Sequence, residues 1–457
     1  MSSTQEAGDV FGPGLGPAHA MLRSPTVLIA SVGLWGMNIY FFRLFGIDYA
    51  KVLKHDLMHL DSDEISAKEM KVTEMRSFSG MNEYSGEDEG GGLSDEDFIM
   101  EGLNESASSI TWSRLVSLSI LWILLLHFTY FIWIDRLHGG PVGAVFSFYL
   151  VVAVSIALPF PSLHWLRRAT GIVLQRGFEL FNPRCSGLVS PDSRYPPRPV
   201  PFVDVFFADA MCSLSKVFFD WGILLHMASN PGPMKASAQN ILIPSALAAV
   251  PYVIRARQCF VMYRVGYLKG DPKRFQHLWN ALKYSTSIFP LCLSAYSKTL
   301  SPKKEQELES YLIALLVINA LYALYWDIVM DWGMMQNPMK ATNCGRAILR
   351  QRLRFGAAMS ALILVADAVL RFSWLLRFSK SMFPSEDSFV LCTQFLEVFR
   401  RAIWNLLRVE WENLKQMKVH LHNAPQPPSL EEKVALVGRT SSGKIHTRPL
   451  ANTGNGR

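Results

Sequence analysis

The chain has 457 residues, 50% hydrophobic and 12% aromatic, with a mean hydropathy of +0.16, which is too apolar for an ordinary soluble protein of this length and points to a polytopic membrane protein. The formal charge of +7 and pI near 9.0 do not mark a nucleic-acid binder, because Lys and Arg gather in short segments between apolar runs. Six cysteines, Cys185, Cys212, Cys259, Cys292, Cys344 and Cys392, lack CxxC or other ligand-like pairing and argue against a disulfide framework or zinc site.

In chain order, the first apolar run, 26–45, is long enough for a retained transmembrane helix rather than the shorter core of a cleaved signal. Further runs of spanning or near-spanning length fall at 115–134, 141–160, 203–228, 240–254, 284–300, 309–331, 356–378 and 389–409. The run at 240–254 is short and contains Pro244 and Pro251, and that at 389–409 carries several charges. The expected fold is an all-α polytopic membrane protein with about nine transmembrane helices, bounded by roughly eight and ten. Between the first two runs lies the polar segment 48–110, with the acidic stretch "NEYSGEDEGGGLSDEDFIMEGLNES", which reads as a disordered loop. The tail beyond about 418, with "NAPQPPS" and "ANTGNGR", reads the same way.

Orientation follows from the short loops. Segments 161–200, 255–283 and 340–354 are rich in Lys and Arg, whereas 135–140 holds only Arg136 and 229–239 only Lys235. Cytosolic loops are the ones enriched in these residues, so the N-terminus is expected to be lumenal or outside and the C-terminus cytosolic. Arg23 before the first run against Arg43, Lys51 and Lys54 after it agrees, while Lys298, Lys303 and Lys304 oppose. This topology puts the 48–110 loop in the cytosol, on the wrong side for glycan addition at the Asn104 sequon.

Two familiar patterns do not carry their usual chemistry. "GRTSSGKI" at 438–445 imitates a phosphate-binding loop, but Ile445 replaces the magnesium-binding hydroxyl and no helix follows. "HDLMH" spaces His55 and His59 as in zinc proteases, but Asp56 stands where the catalytic Glu belongs. No nucleophile elbow or dinucleotide loop is present either, so an enzyme is not expected.

The informative residues are charges inside apolar runs, which cost roughly 2.5–3.5 kcal/mol each on insertion scales and tend to face partners or a polar cavity. Residues three or four apart share a helical face. Asp327 with Asp331 in "YWDIVMDWG", Lys216 with Asp220, Asp367 with Arg371, and Glu397 with Arg400 and Arg401 all have that spacing, and Asp209, Lys283 and Tyr284 add further polar groups. Any one pair could be an interhelical salt bridge that fixes packing. The whole set favours a permeation pathway for an anion, gripped by Arg forks that carboxylates hold in place.

The same stretches carry a resemblance. "ADAMCSLSK" at 208–216, "RARQCFVMYR" at 255–264, "FQHLWNALKYSTSIFP" at 275–290, "YALYWDIVMDWG" at 322–333, "DAVLRFSW" at 367–374 and "LEVFRRAIWNLLRVEWENL" at 396–414 resemble, in the same order, the EXS-domain family over about 200–415. That family includes eukaryotic phosphate exporters and an SPX-less Golgi branch linked to retention of ER and Golgi residents. The resemblance implies that Asp209, Arg264, Lys283, Tyr284, Asp327, Asp331, Arg371, Trp374, Glu397, Arg400 and Arg401 line a phosphate route. Arg371, Arg400 and Arg401 would bind the anion, Lys283 and Tyr284 assist on the cytosolic side, the carboxylates hold the cations, and Trp374 forms part of a gate.

Residues 1–25 are too few for the SPX domain that senses inositol pyrophosphates, and 48–110 is acidic rather than Lys-rich, so the chain resembles the Golgi branch. The expected layout is a lumenal tail (1–25), N-terminal transmembrane helices (26–160) with the acidic loop, a basic cytosolic linker (161–200), an EXS-type helical bundle (201–415) and a cytosolic tail (416–457). The expected function is movement of phosphate released by lumenal glycosylation back to the cytosol across the Golgi membrane, with the ER or plasma membrane as other locations and no cofactor. Expected partners are inorganic phosphate, the bilayer, a second copy of the chain, and trafficking or glycosylation proteins, but no nucleic acid. A non-transporting sorting or scaffold protein for Golgi and ER residents stays open as the alternative.

Overall fold

A computed structural model describes residues 17–53, 111–132, 147–154, 164–181, 199–229, 239–335, 350 and 352–423. The acidic run of 48–110, the Asn104 sequon, the "HDLMH" and "GRTSSGKI" patterns and the tail beyond 423 lie outside these residues, as does most of 141–160. The described chain is helical throughout, with no strand among the described residues.

The helices are α1 (Pro17–Leu44), α2 (Trp112–Phe131), α3 (His164–Phe181), α4 (Phe202–Ser213), α5 (Ser215–Ser229), α6 (Gln239–Leu268), α7 (Phe275–Ser297), α8 (Pro302–Trp326), α9 (Gly356–Arg371) and α10 (Glu386–Asn423). A π-turn over Asp327–Asp331 extends α8, and a 3-10 segment over Ser373–Met382 follows α9. Three stretches are long and apolar enough to cross a membrane: Leu22–Leu44, Trp112–Phe131 and Pro302–Asp331. A fourth exists if α9 and the 3-10 segment, bent by 58°, count as one span.

Local chemistry explains several boundaries. Thr111 caps α2 by accepting the Arg114 amide at 3.4 Å, and Pro302 opens α8 at the position where its missing N–H costs nothing. Pro244 and Pro251 do not end α6, which runs 30 residues through both. Prolines are tolerated this way in membrane helices whose neighbours re-satisfy the freed backbone. At the α5/α6 contact a Cβ on Gly222 would sit 2.4 Å from the Pro244 Cα, so only glycine allows this approach.

The structure corrects several expectations. The single run 203–228 is two helices, because the backbone breaks at Leu214 (φ −93°, ψ 9°). The run 356–378 is not straight, since the α-helix ends at Arg371 and the chain turns into the 3-10 segment. The linker 161–200 contains α3, and 255–268, read as loop, is the second half of α6. Lys216 and Asp220 share a face of α5 without a direct ion pair among the described residues, and Asp220 is buried against Arg23 of α1 at 2.5 Å.

Packing joins α6 to α4, α5 and α7, α7 to α8, α8 to α9, and α1 to α2 and α5. Residues up to Asn413 form one compact unit. Its largest apolar core gathers Phe42, Phe202, Trp332, Phe355, Ile363, Trp404 and Leu407, from α1, α4, the end of the π-turn, α9 and α10. Large exposed apolar side chains such as Leu124 and Phe128 on α2 and Leu362, Val365 and Val369 on α9 cover outer faces, which suits a lipid surrounding.

Candidate functional site

The charges singled out by their spacing converge on one cavity of about 140 Å³, where α7, α8, the π-turn, α9, the 3-10 segment and α10 meet. Its wall includes Lys283, Tyr284, Asp327, Arg371, Trp374, Glu397, Arg400 and Arg401, together with Cys212, Tyr252, Ser287 and Asn319. Four cations, Lys283, Arg371, Arg400 and Arg401, thus face two carboxylates, Asp327 and Glu397, on the wall itself.

The π-turn shapes the carboxylate side. The Trp332 amide donates to the Asp327 carbonyl at 2.9 Å, a five-residue closure in place of the four-residue one of an α-helix. Asp327 and Asp331 are therefore not one α-helical turn apart, as the spacing suggested, but sit on a widened turn that lets both reach one ammonium. Lys283 Nζ lies 3.1 Å from Asp331 and 3.7 Å from Asp327. The turn is anchored beyond its end: Trp332 Nε1 donates to the Trp404 carbonyl at 3.3 Å, and Arg350 donates to the Trp332 carbonyl and pairs with buried Glu410. Gly333 there has φ +59°, and a Cβ on it would fall 2.3 Å from the Trp411 ring.

The cations divide by how much of each is already engaged. Arg400 is fully committed: Nε and one amino nitrogen donate to Glu397 at 3.0 and 2.7 Å, and the other donates to Asp367 at 2.9 Å. Arg371 directs one amino nitrogen to Asp327 and, at 3.4 Å, to Asp367, while its buried Nε has no partner among the described residues. Arg401 donates through Nε to Ser213 Oγ at 2.9 Å and lies 4.3 Å over the Trp404 ring. The buried indole Nε1 of Trp374 also lacks a protein acceptor. Donors without protein partners on a cationic wall suit an oxyanion, because a buried donor left unpaired costs about 1–3 kcal/mol.

Asp209 and Asp331 stand one layer behind. Asp209 of α4 accepts from Tyr284 at 2.7 Å and from Arg255 at 2.6 Å, so it fixes the phenol on the wall. Asp331 lies 3.8 Å from Arg408 as well as near Lys283. Arg264 is exposed on α6 and takes no part in the cavity's lining, because nine residues turn it to about the opposite helical face from Arg255. Of the expected residues, the structure thus brings eight to the wall and two behind them, and it leaves Arg264 apart.

Sequence reasoning missed Arg255, Ser213 and Asn319. Arg255 was counted with a loop, yet it is 3% exposed and bonded to Asp209. Ser213 links Glu397 and Arg401 at 2.9 Å each, and Asn319 accepts from Thr286 and Ser287 at 3.0 Å each. Arg255 was findable, since "RARQCFVMYR" follows an apolar run without a turn signal; neutral Ser and Asn within apolar helices give no such cue.

Comparison with known families places the chain. Residues 18–414 match the EXS family, a match that covers most of the sequence. The chain belongs to the EXS family. It is 27% identical over 330 residues to Protein ERD1 homolog 1 of Schizosaccharomyces pombe, covering 69% of this chain and 80% of that protein. It is 30% identical over 236 residues to the Xenotropic and polytropic retrovirus receptor 1 homolog of Danio rerio, and 29% identical over 241 residues to human Solute carrier family 53 member 1. Those two alignments cover 47% of this chain and only 32% and 33% of the relatives, so the chain matches about a third of their length. The matched interval begins at residue 18, well before the 200–415 region where the motifs lie, and so takes in α1 and α2.

Proposed function

We propose that this chain is a polytopic membrane protein that conducts inorganic phosphate through the cavity between α7, α8, α9 and α10, without covalent chemistry. The observation that carries this reading is the wall itself: Lys283, Arg371, Arg400 and Arg401 on one cavity, with Arg371 Nε and Trp374 Nε1 lacking protein acceptors among the described residues. Asp331 behind Lys283 and Asp367 behind Arg400 and Arg371 balance the wall's cations, so an anion would be held through the donors that lack a protein acceptor among the described residues, and the mixed signs keep the unliganded wall from being a bare cationic cavity. Membership of the EXS family and the similarity to a human solute carrier support transport.

In this reading the chain crosses the membrane about nine times, with lumenal N-terminus and cytosolic C-terminus, in a Golgi-type membrane. It returns phosphate released by lumenal glycosylation to the cytosol, and so supports glycosylation and the retention of Golgi and ER residents. The match to an ERD1 homolog over 80% of that protein favours this compartment. Purified protein in proteoliposomes tests it: phosphate flux above that of empty vesicles, reduced at least tenfold by Arg371→Ala, is expected. Equal flux in wild type and variant, or none in either, contradicts the pathway and leaves the sorting or scaffold alternative.

A further inference from the structure

The cavity's carboxylates differ in one respect that bears on which anion it accepts. Asp327, Asp331, Asp209 and Asp367 have side chains 4%, 14%, 6% and 0% exposed, closed off by the cations they hold. Glu397 is on the wall and its side chain is 31% exposed. Its Oε1 accepts from Ser213 at 2.9 Å and Arg400 at 2.7 Å, and its Oε2 accepts from Arg400 at 3.0 Å. A carboxylate offers about four acceptor sites, so Oε2 retains capacity for one more donor.

We propose that Glu397 is the specificity residue of this cavity, accepting the P–OH hydrogen of hydrogenphosphate and repelling tetrahedral dianions that carry no proton. The inference rests on the phosphate reading and deepens it. Hydrogenphosphate brings three oxygens for Arg371, Arg401 and Lys283 and one hydroxyl for an acceptor. Sulfate and monofluorophosphate have the same charge and nearly the same shape, but each would set an oxygen or fluorine lone pair against the Glu397 carboxylate. A site that hydrogen-bonds a ligand hydroxyl discriminates against the analogue without it, because that hydrogen bond is then lost. The unfavourable contact with the wrong anion supplies the rest of the discrimination. Arg400, which gives Glu397 two hydrogen bonds, holds the acceptor in place.

The test is flux of hydrogenphosphate, sulfate and monofluorophosphate into proteoliposomes at a pH where phosphate is mainly the dianion. Wild type is expected to prefer hydrogenphosphate over both others by at least tenfold. Glu397→Gln replaces one acceptor with an N–H donor and should bring the three rates within about threefold. Asp367→Asn removes the same charge behind the wall and should change all three rates by a common factor, keeping the wild-type ratio. Equal wild-type flux of hydrogenphosphate and monofluorophosphate overturns the assignment without any variant, and so does an unchanged ratio in Glu397→Gln. If wild type moves no anion at all, the phosphate reading falls and the assignment falls with it.

Discussion

Two clusters of buried charge share helix α10, and they behave differently. Near its start, Arg23 of α1 binds Asp220 of α5 at 2.5 and 3.0 Å and Asp387 at 2.7 Å, while Ser24 and Gln394 complete the Asp220 carboxylate at 3.2 and 2.9 Å. Arg23 and Asp220 side chains are each 1% exposed. Further along, Glu397, Arg400 and Arg401 border a cavity whose Arg371 keeps a donor without a protein acceptor. Both clusters contain the residue types that mark a membrane pathway, and burial alone does not separate them. Space does: the first clamps three helices, whereas the second borders a volume that a ligand can enter.

Breaking the clamp should show the contrast most strongly. Arg23→Ala leaves Asp220 buried without its cation, and removal of one partner of such a pair costs about 3–5 kcal/mol. Thermal unfolding in detergent should therefore shift down by several degrees, while flux per folded molecule stays within twofold and the anion preference is unchanged. A changed preference would mean that the clamp belongs to the pathway. Gly333→Ala is expected to cost on the order of 3 kcal/mol, because the Cβ collides with the Trp411 ring and φ is positive. It should also lower phosphate flux, since the displaced turn carries Asp327 and Asp331; normal flux would detach the turn's geometry from function.

Smaller effects sharpen the inner boundary of the site. Tyr284→Phe removes one hydrogen bond to Asp209 and two from Arg255, at 3.2 and 3.1 Å, and should cost about 1–3 kcal/mol of stability. Flux should drop only a few-fold if the phenol mainly supports the wall; complete loss of flux in folded protein would make it a direct ligand. Arg264→Ala should change neither stability by more than about 0.5 kcal/mol nor flux by more than twofold, because its side chain is exposed away from the cavity. A large flux loss there would extend the pathway along α6.

The sequence made the cavity's charges legible because each is expensive in an apolar run, and because three- and four-residue spacing groups Asp367 with Arg371 and Glu397 with Arg400. Their pairing at 3.4 and 2.7 Å follows that spacing. Other features had no local signature. The break at Leu214 falls between Ser213 and Ser215 with no Gly or Pro at the site, so no turn signal marks it. The π-turn at Asp327 depends on partners from α7, α9 and α10, which a one-dimensional period cannot contain. Arg23 looked like a flanking charge that votes on orientation, yet α1 starts at Pro17 and buries it. Its partners lie 197 and 364 residues away, beyond the reach of any spacing rule.

In the proposed pathway the cavity, and not buried charge in general, holds the anion. Arg401 gives the cleanest probe, since its hydrogen bond is to neutral Ser213 and its truncation strands no carboxylate of the ion-pair network. The decisive measurement is equilibrium binding of radiolabelled phosphate to purified wild type, Arg401→Ala and Arg23→Ala, each confirmed folded. Arg401→Ala should bind at least tenfold more weakly, as expected for losing about 1.4 kcal/mol or more of charge-assisted hydrogen bonding, and Arg23→Ala should match wild type. Equal binding by all three, or loss confined to Arg23→Ala, would contradict the account.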